Sequence, residues 1–114
     1  MAESKNAAAA RRLGRLATDS EKIIERYLVK ACAAIGVKAL KYSNSNESGF
    51  PDRLLLLHGG SVVWVELKST GRHPSALQKI RHEELRRIGH RVEVIDSKQG
   101  VDDLVKTLNH GHSL

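Results

Sequence analysis

The stretch GFPDRLLLLHGGSVVWVELK, residues 49–68, indicates the centre of the fold. Its two apolar runs, Leu54–Leu57 and Val62–Leu67, have the length of buried strands and lie on either side of the glycine pair Gly59-Gly60. Two such runs around a glycine pair are typical of a β-hairpin. The stretch therefore predicts two neighbouring antiparallel strands at the middle of the domain.

Helices and further strands are predicted outward from this hairpin. Capping boxes at Thr18 with Glu21 and at Ser75 with Gln78, apolar stripes at spacings of three and four, and helix-stopping glycines mark the helices. The predicted elements are a helix over 18–36, a strand over 37–42, the hairpin strands 54–57 and 62–67, a helix over 75–89, a strand over 92–95 and a helix across 101–108. This α-β-β-β-α-β-α order predicts an α/β fold, a mixed sheet flanked by helices.

Length and composition favour one domain with one core. Residues 1–17 are rich in Ala, Arg, Lys and Ser without apolar periodicity, and we expect a flexible basic arm there. The folded domain is expected over 18–108, followed by a disordered tail over 109–114. No apolar run approaches the roughly 20 residues that span a bilayer, and no signal-peptide pattern is visible. The single cysteine, Cys32, cannot form an internal disulfide, which favours a reducing cytoplasm.

The charge balance favours a polyanionic partner. The chain carries 19 Lys and Arg against 13 Asp and Glu, a formal net charge of +6. Cations that neutralise phosphates release condensed counterions, so this excess suits nucleic acid. The four aromatic residues are too few for a platform that stacks single-stranded bases. The expected target is the nucleic-acid backbone.

Charged residues at the ends of the hairpin strands form a candidate catalytic constellation. Asp52 stands where a polar loop enters a buried strand, while Glu66 and Lys68 stand two residues apart on the next strand and so share a face. Taken alone, each motif also fits a surface ion pair or an ordinary turn. Together, two converging carboxylates repel each other unless a hard divalent cation such as Mg²⁺ lies between them. Leu67, between Glu66 and Lys68, is expected to point into the opposite layer.

The turn length decides whether Asp52 joins that face. In an antiparallel pair, the residue numbers of two directly opposed residues always add up to the same value, and opposed residues share a face of the sheet. With a two-residue Gly59-Gly60 turn, this value would place Asp52 on the face away from Glu66. A shared site needs either a three-residue turn, Gly59-Gly60-Ser61, or a bulge near Asp52. We predict one of these two arrangements.

These motifs resemble the VRR-NUC family of PD-(D/E)XK nucleases, in particular its stand-alone virus-type members. The resemblance covers roughly residues 20–105 and rests on Gly49-Phe50-Pro51-Asp52-Arg53-Leu54, Val65-Glu66-Leu67-Lys68, Gln78 and Gly89-His90-Arg91-Val92. It implies a restriction-endonuclease-like core, dependence on Mg²⁺ or Mn²⁺, and hydrolysis of DNA phosphodiester bonds in the cytoplasm of a bacterial or virus-infected bacterial cell.

The resemblance also implies roles for individual residues. Asp52 and Glu66 would be the metal-binding carboxylates, the carbonyl oxygen of Leu67 would be a backbone ligand, and Lys68 would be the catalytic lysine. Gln78 would orient Lys68 or the attacking water, although its place in a capping box explains it equally well.

Related nucleases carry a further acidic residue on the first helix, and two candidates exist here. Glu21 and Glu25 lie one turn apart at the same edge of the apolar stripe. Glu21 is expected to serve the capping box. In junction-resolving relatives the glutamate precedes an arginine and stands about three turns before the helix-ending glycine, and Glu25-Arg26 before Gly36 matches this. We therefore predict Glu25 as an additional catalytic and metal-site residue.

The predicted function is a DNA endonuclease selective for branched DNA such as four-way (Holliday) junctions. The expected phosphate-binding residues are Arg11, Arg12, Arg15, Arg72 and His73. The alternatives are a non-cleaving nucleic-acid-binding module on the same fold, a plain nickase or duplex nuclease, and a structural protein that would leave the carboxylates unexplained. The sequence does not distinguish a flap or a nicked duplex from a four-way junction as the substrate.

Two further expectations concern the surface. A small domain with one site cannot make two coordinated cuts, so a homodimer is expected, with surplus apolar surface on the first and last helices. His82-Glu83-Glu84 lacks the second histidine of the zinc motif H-E-x-x-H, and we interpret it as a solvated helix face.

Overall fold

The computed structural model describes residues 18–112, with side chains described through Leu108. Its elements in chain order are α1 (Glu21–Ala34), β1 (Lys38–Lys41), β2 (Arg53–Leu56), a 3-10 turn (His58–Gly60), β3 (Val62–Leu67), α2 (Ala76–Arg87), β4 (Arg91–Ile95) and α3 (Lys98–His112). This order confirms the predicted α/β arrangement. The predicted arm, residues 1–17 with Arg11, Arg12 and Arg15, lies outside the described residues.

The strands form one mixed sheet in the order β1-β2-β3-β4. β1, β2 and β3 are antiparallel neighbours, whereas β3 and β4 are parallel. A parallel pair needs a crossover, and α2 provides it between β3 and β4. Helices consequently cover both faces of the sheet.

The two faces carry different cores because successive strand residues point to opposite sides. The face under α1 and α3 holds the main apolar core, which includes Ile24, Leu28, Leu55, Val63, Val65, Leu67, Ile95, Val101 and Leu104. The face under α2 holds a smaller cluster of Trp64, Leu85 and Val92, with aromatic neighbours around it. Leu67 lies in the main core, as predicted, so Glu66 and Lys68 belong to the α2 face.

The start of α1 differs from the prediction. The N-cap is Ser20, whose hydroxyl accepts a hydrogen bond from the Ile23 N–H, so the predicted capping box of Thr18 and Glu21 is wrong. The reason lies in the preceding residue, because the N–H and the carbonyl of Asp19 both hydrogen-bond Thr70 after β3. The helix therefore begins at Glu21, and the Glu21 side chain has no capping role.

The hairpin turn has the predicted length at a different position. β2 and β3 pair from Arg53 opposite Val65 to Leu56 opposite Val62, and Leu57 N–H donates to the carbonyl of Ser61. The three turn residues are thus His58–Gly60, one residue earlier than predicted. Both glycines in the turn have positive φ, +86° and +87°, which favours glycine. The earlier turn shifts the strand partner of each residue by an even number of positions, so Asp52 still shares the face of Glu66.

The last helix is longer than predicted. α3 continues through His112, four residues into the expected disordered tail, because its apolar stripe at Val101, Leu104 and Leu108 is buried against the core. The described part of α3 has no large exposed apolar side chain, although surplus apolar surface was expected on this helix. In the described residues, no helix is both long enough and apolar enough to cross a membrane.

Candidate active site

Asp52 and Glu66 meet where β2 begins beside the end of β3. Asp52 lies just before β2, and its Oδ2 accepts a hydrogen bond from the backbone N–H of Leu67 at 3.0 Å. Glu66 lies opposite it on β3 and is only 1% exposed. Burial and the neighbouring Asp52 carboxylate, which also hydrogen-bonds Glu66, raise the pKa of Glu66 to about 8. Without a cation, Glu66 therefore keeps its proton at neutral pH.

Two side chains from α2 hold the other side of Glu66. Gln78 Nε2 donates to Glu66 Oε2 at 3.1 Å, while Gln78 Oε1 accepts from the Ser75 N–H at 2.8 Å. The single amide thus serves both the capping box and the carboxylate, and the two sequence-based interpretations are compatible. His82 Nε2 lies 3.4 Å from Glu66 Oε1. Both oxygens of Glu66 consequently have a partner from α2.

His82 is the residue that the sequence interpretation missed. It is 2% exposed, so the description of His82-Glu83-Glu84 as a solvated face is wrong for His82, although Glu83 and Glu84 are exposed. Burial, then Arg86 and Lys68, lower the pKa of His82, so its ring favours the neutral form. The residue spacing within α2 indicates that His82 points toward the sheet, since Gln78, His82 and Leu85 lie on one stripe of this helix.

Lys68 places a cation beside the carboxylate pair. Its Nζ lies 3.7 Å from Glu66 Oε2, and its side chain is 18% exposed. The backbone N–H of Lys68 donates to the carbonyl of Ile95 at the end of β4, which holds this position after β3 has ended. The ammonium group is therefore fixed near the site and still open to a ligand from solvent.

Glu21, and not Glu25, is the first-helix carboxylate that faces the pair. Burial and then the Asp52 carboxylate raise the pKa of Glu21, and the Lys68 ammonium group partly offsets this increase. The Glu21 carboxylate in turn raises the pKa of Glu66. Glu25 instead forms an ion pair with Arg53 at 2.7 Å. Arg53 lies opposite Val65, so this pair occupies the other face of the sheet. Glu25 therefore does not lie with Asp52 and Glu66, contrary to the prediction.

The loop before Asp52 is locked onto α2. Gly49 has a φ of +98°, and a Cβ at this position would lie 2.9 Å from Arg81 Cγ and 3.2 Å from the carbonyl oxygen of Leu77. Arg81 Nε donates to the carbonyl of Ser48, and its guanidinium lies 5.6 Å from the centre of the Phe50 ring. A side chain at residue 49 would push the loop away, so the glycine helps to set the position of Asp52.

The donor set fits a hard divalent cation. In the described part of the chain, no three side chains of His, Cys, Asp or Glu are grouped as ligands, so a metal here would be held by Asp52 and Glu66. Mg²⁺ accepts such a set, because it is usually bound by one or two carboxylates and retains water. A cation held between the two carboxylates would relieve the repulsion by Asp52 that helps to raise the pKa of Glu66. The Leu67 carbonyl remains the candidate backbone ligand.

The loop between β3 and α2 presents the remaining predicted residues. Arg72 and His73 are both exposed there. The loop is tied to the sheet, because Thr70 Oγ1 donates to the carbonyl of Asp96 and the Gly71 N–H donates to the Asp96 carboxylate. Arg72 and His73 are thus available to a ligand near the site.

Known proteins share this domain over nearly its whole length. No protein-family model matches the chain. A protein of Acyrthosiphon pisum secondary endosymbiont phage 1, named "Putative nuclease p44", is 36% identical over 89 residues, which cover 78% of this chain and 95% of the phage protein. A solved structure of a VRR_NUC domain superposes with a TM-score of 0.71 at 30% identity and covers 77% of this chain and 97% of that one.

Proposed function

Because the chain belongs to the VRR-NUC family of nucleases, with its restriction-endonuclease-like core, we propose that it is a metal-dependent DNA endonuclease acting at Asp52 and Glu66. The observation that carries the proposal is the carboxylate pair of Asp52 and Glu66, in which Glu66 is buried and Lys68 lies beside it. A buried glutamate beside a second carboxylate has no evident structural purpose, since burying a charge next to a like charge destabilises a fold.

The proposed reaction is hydrolysis of a phosphodiester. A water oxygen bonds to phosphorus, the ester bond to one sugar oxygen breaks, and that oxygen takes up a proton. A bound Mg²⁺ or Mn²⁺ would acidify the attacking water and stabilise the charge that develops on the phosphate. Asp52 and Glu66 would hold this ion. Lys68 places its ammonium group where it stabilises negative charge on phosphoryl oxygens.

Residues around the pair orient it. Gln78 and His82 each contact one oxygen of Glu66 and so restrict its rotation. Glu21 adds a third carboxylate at the solvent side of the pair, where it would hold a metal-bound water. Arg72 and His73, on the adjoining loop, would contact DNA phosphates.

We further propose that the substrate is branched DNA and that the enzyme acts as a homodimer. One site per chain cuts one strand, and a twofold dimer would present two sites to the symmetric strands of a four-way junction. The exposed apolar side chains that a partner could cover lie mainly on the α2 side of the sheet, at Leu40, Leu56, Leu77 and Ile80. Light scattering should then give about twice the 12.6 kDa chain mass.

A cleavage panel tests the proposal. Labelled four-way junction, flap, nicked and linear duplex DNAs are incubated with Mg²⁺, Mn²⁺ or EDTA and the wild-type protein, Glu66→Gln or Glu83→Gln. Glu83 is exposed on α2, so its variant makes the same chemical change outside the site. Cleavage by wild type and Glu83→Gln, lost in EDTA and in Glu66→Gln, is expected. Wild-type cleavage by Glu66→Gln would show that the site is wrongly assigned, and equal cutting of linear duplex would favour a plain nuclease.

A further inference from the structure

We infer that the outer surface of α1 binds the sugar-phosphate backbone of DNA next to the cut site, an inference that rests on the proposed endonuclease function. Lys22, Arg26 and Lys30 are spaced four residues apart and form one line along α1, here called the α1 row. All three side chains are exposed, and none forms an ion pair with a described residue. The row is a line of cations open to a ligand.

A cavity of about 700 Å³ lies beside the α1 row. Arg53 and Lys98 also line it, so two helices and a strand contribute cations to its lining. Glu25 is the acidic side chain of the lining, and its ion pair with Arg53 neutralises it. No carboxylate of the cavity lining therefore neutralises the charges of Lys98 and the α1 row.

The cavity lies next to the candidate active site. The α1 row starts one residue after Glu21, which is electrostatically coupled to Asp52. Arg53, which also lines the cavity, directly follows Asp52 in the chain, and its side chain points to the other face of the sheet at the same edge. Over the eight residues from Lys22 to Lys30 the helix rises about 12 Å, so the row leads from the site along the length of α1.

The arrangement suits a polymer of phosphates better than a compact anion. The charges follow one another along the helix axis and do not converge on a point. Two of the three residues of the row are lysines, whose flexible ammonium groups act as point charges on phosphate. Such contacts carry no sequence information and position the duplex. The α1 row should therefore govern DNA affinity, while the chemical step depends on the carboxylate pair.

The salt dependence of binding tests this inference. Binding of fluorescent four-way junction and duplex DNA is measured by anisotropy in EDTA, where no cleavage is expected, at several salt concentrations. The test variants are Arg26→Ala/Lys30→Ala and the milder Arg26→Gln/Lys30→Gln. The control is Arg91→Ala/Lys106→Ala, which removes two exposed cations outside the cavity lining, at the start of β4 and the adjoining part of α3, away from Glu66. Thermal melts of all variants check folding.

Both test variants should lower the slope of log K against log salt by about 1.8, since each lost phosphate contact contributes about 0.9 on duplex DNA. Their KM should rise while kcat stays at the wild-type value, and the control should keep the wild-type slope. If a folded test variant keeps the wild-type slope, or the control loses as much, the inference is wrong while the proposed function stands. Failure of the wild-type protein to bind any DNA would instead refute both.

Discussion

Replacing Glu66 by Gln should stabilise the metal-free protein, and the gain should grow with pH. In the unfolded chain Glu66 loses its proton near 4.5, whereas the folded protein holds it to about 8. Between these values the folded state binds more protons, so its stability is greatest at low pH and falls as pH rises. The amide of the Glu66→Gln variant carries no titrating proton and would avoid this loss.

The expected size follows from the same two values. A proton retained only in the folded state makes the free energy of unfolding fall by about 1.4 kcal/mol per pH unit. Across the interval from 4.5 to about 8 the loss from Glu66 reaches about 5 kcal/mol at most. At pH 5, where Glu66 is protonated, the amide of the variant has nearly the same shape and charge, so the two proteins should differ little.

Urea unfolding in EDTA, at steps from pH 5 to pH 9, measures this difference. The single tryptophan, Trp64, is buried two residues before Glu66 and reports unfolding by fluorescence. Glu83→Gln serves as the control, because an exposed glutamate should leave the stability curve parallel to that of the wild type. A stability gap between Glu66→Gln and wild type that stays constant with pH would refute the raised pKa of Glu66 and the repulsion on which the metal site depends.

Further outcomes are expected at the same site. Mg²⁺ should raise the melting temperature of the wild-type protein, more at pH 8.5 than at pH 6, and should leave Glu66→Gln unchanged in a differential scanning fluorimetry titration; an equal shift in both would place the ion elsewhere. Asp52→Asn should abolish cleavage while DNA affinity in EDTA stays equal or increases slightly, whereas Lys68→Ala should cut poorly and still show the Mg²⁺ shift. His82→Ala should lower kcat about 10- to 100-fold with little change in KM, and His82→Gln should recover part of the rate; full activity of His82→Ala would exclude a positioning role. Gly49→Ala should reduce stability by about 1–3 kcal/mol in urea, and a neutral result would mean that the loop relaxes without strain.

Local sequence patterns were sufficient for the elements and for most of the candidate site. Alternation with a period of two identified the hairpin strands, and it placed Glu66 and Lys68 on one face with Leu67 on the other. The requirement that Asp52 share that face predicts a three-residue turn, and the turn has this length one residue earlier in the chain. These inferences succeed because strand alternation and helix capping are decided by neighbouring residues.

Tertiary structure alone decided which other side chains reach the carboxylates. Glu21 and Glu25 lie on the same edge of α1. Only the packing of α1 on the sheet brings Glu25 into contact with Arg53. His82 stands beside two exposed glutamates, yet α2 packs so that its ring is buried against Glu66. In both cases the choice depends on the rotation and position of a helix relative to the sheet. Packing between elements distant in the sequence sets that rotation, and the spacing of residues within one helix does not contain it.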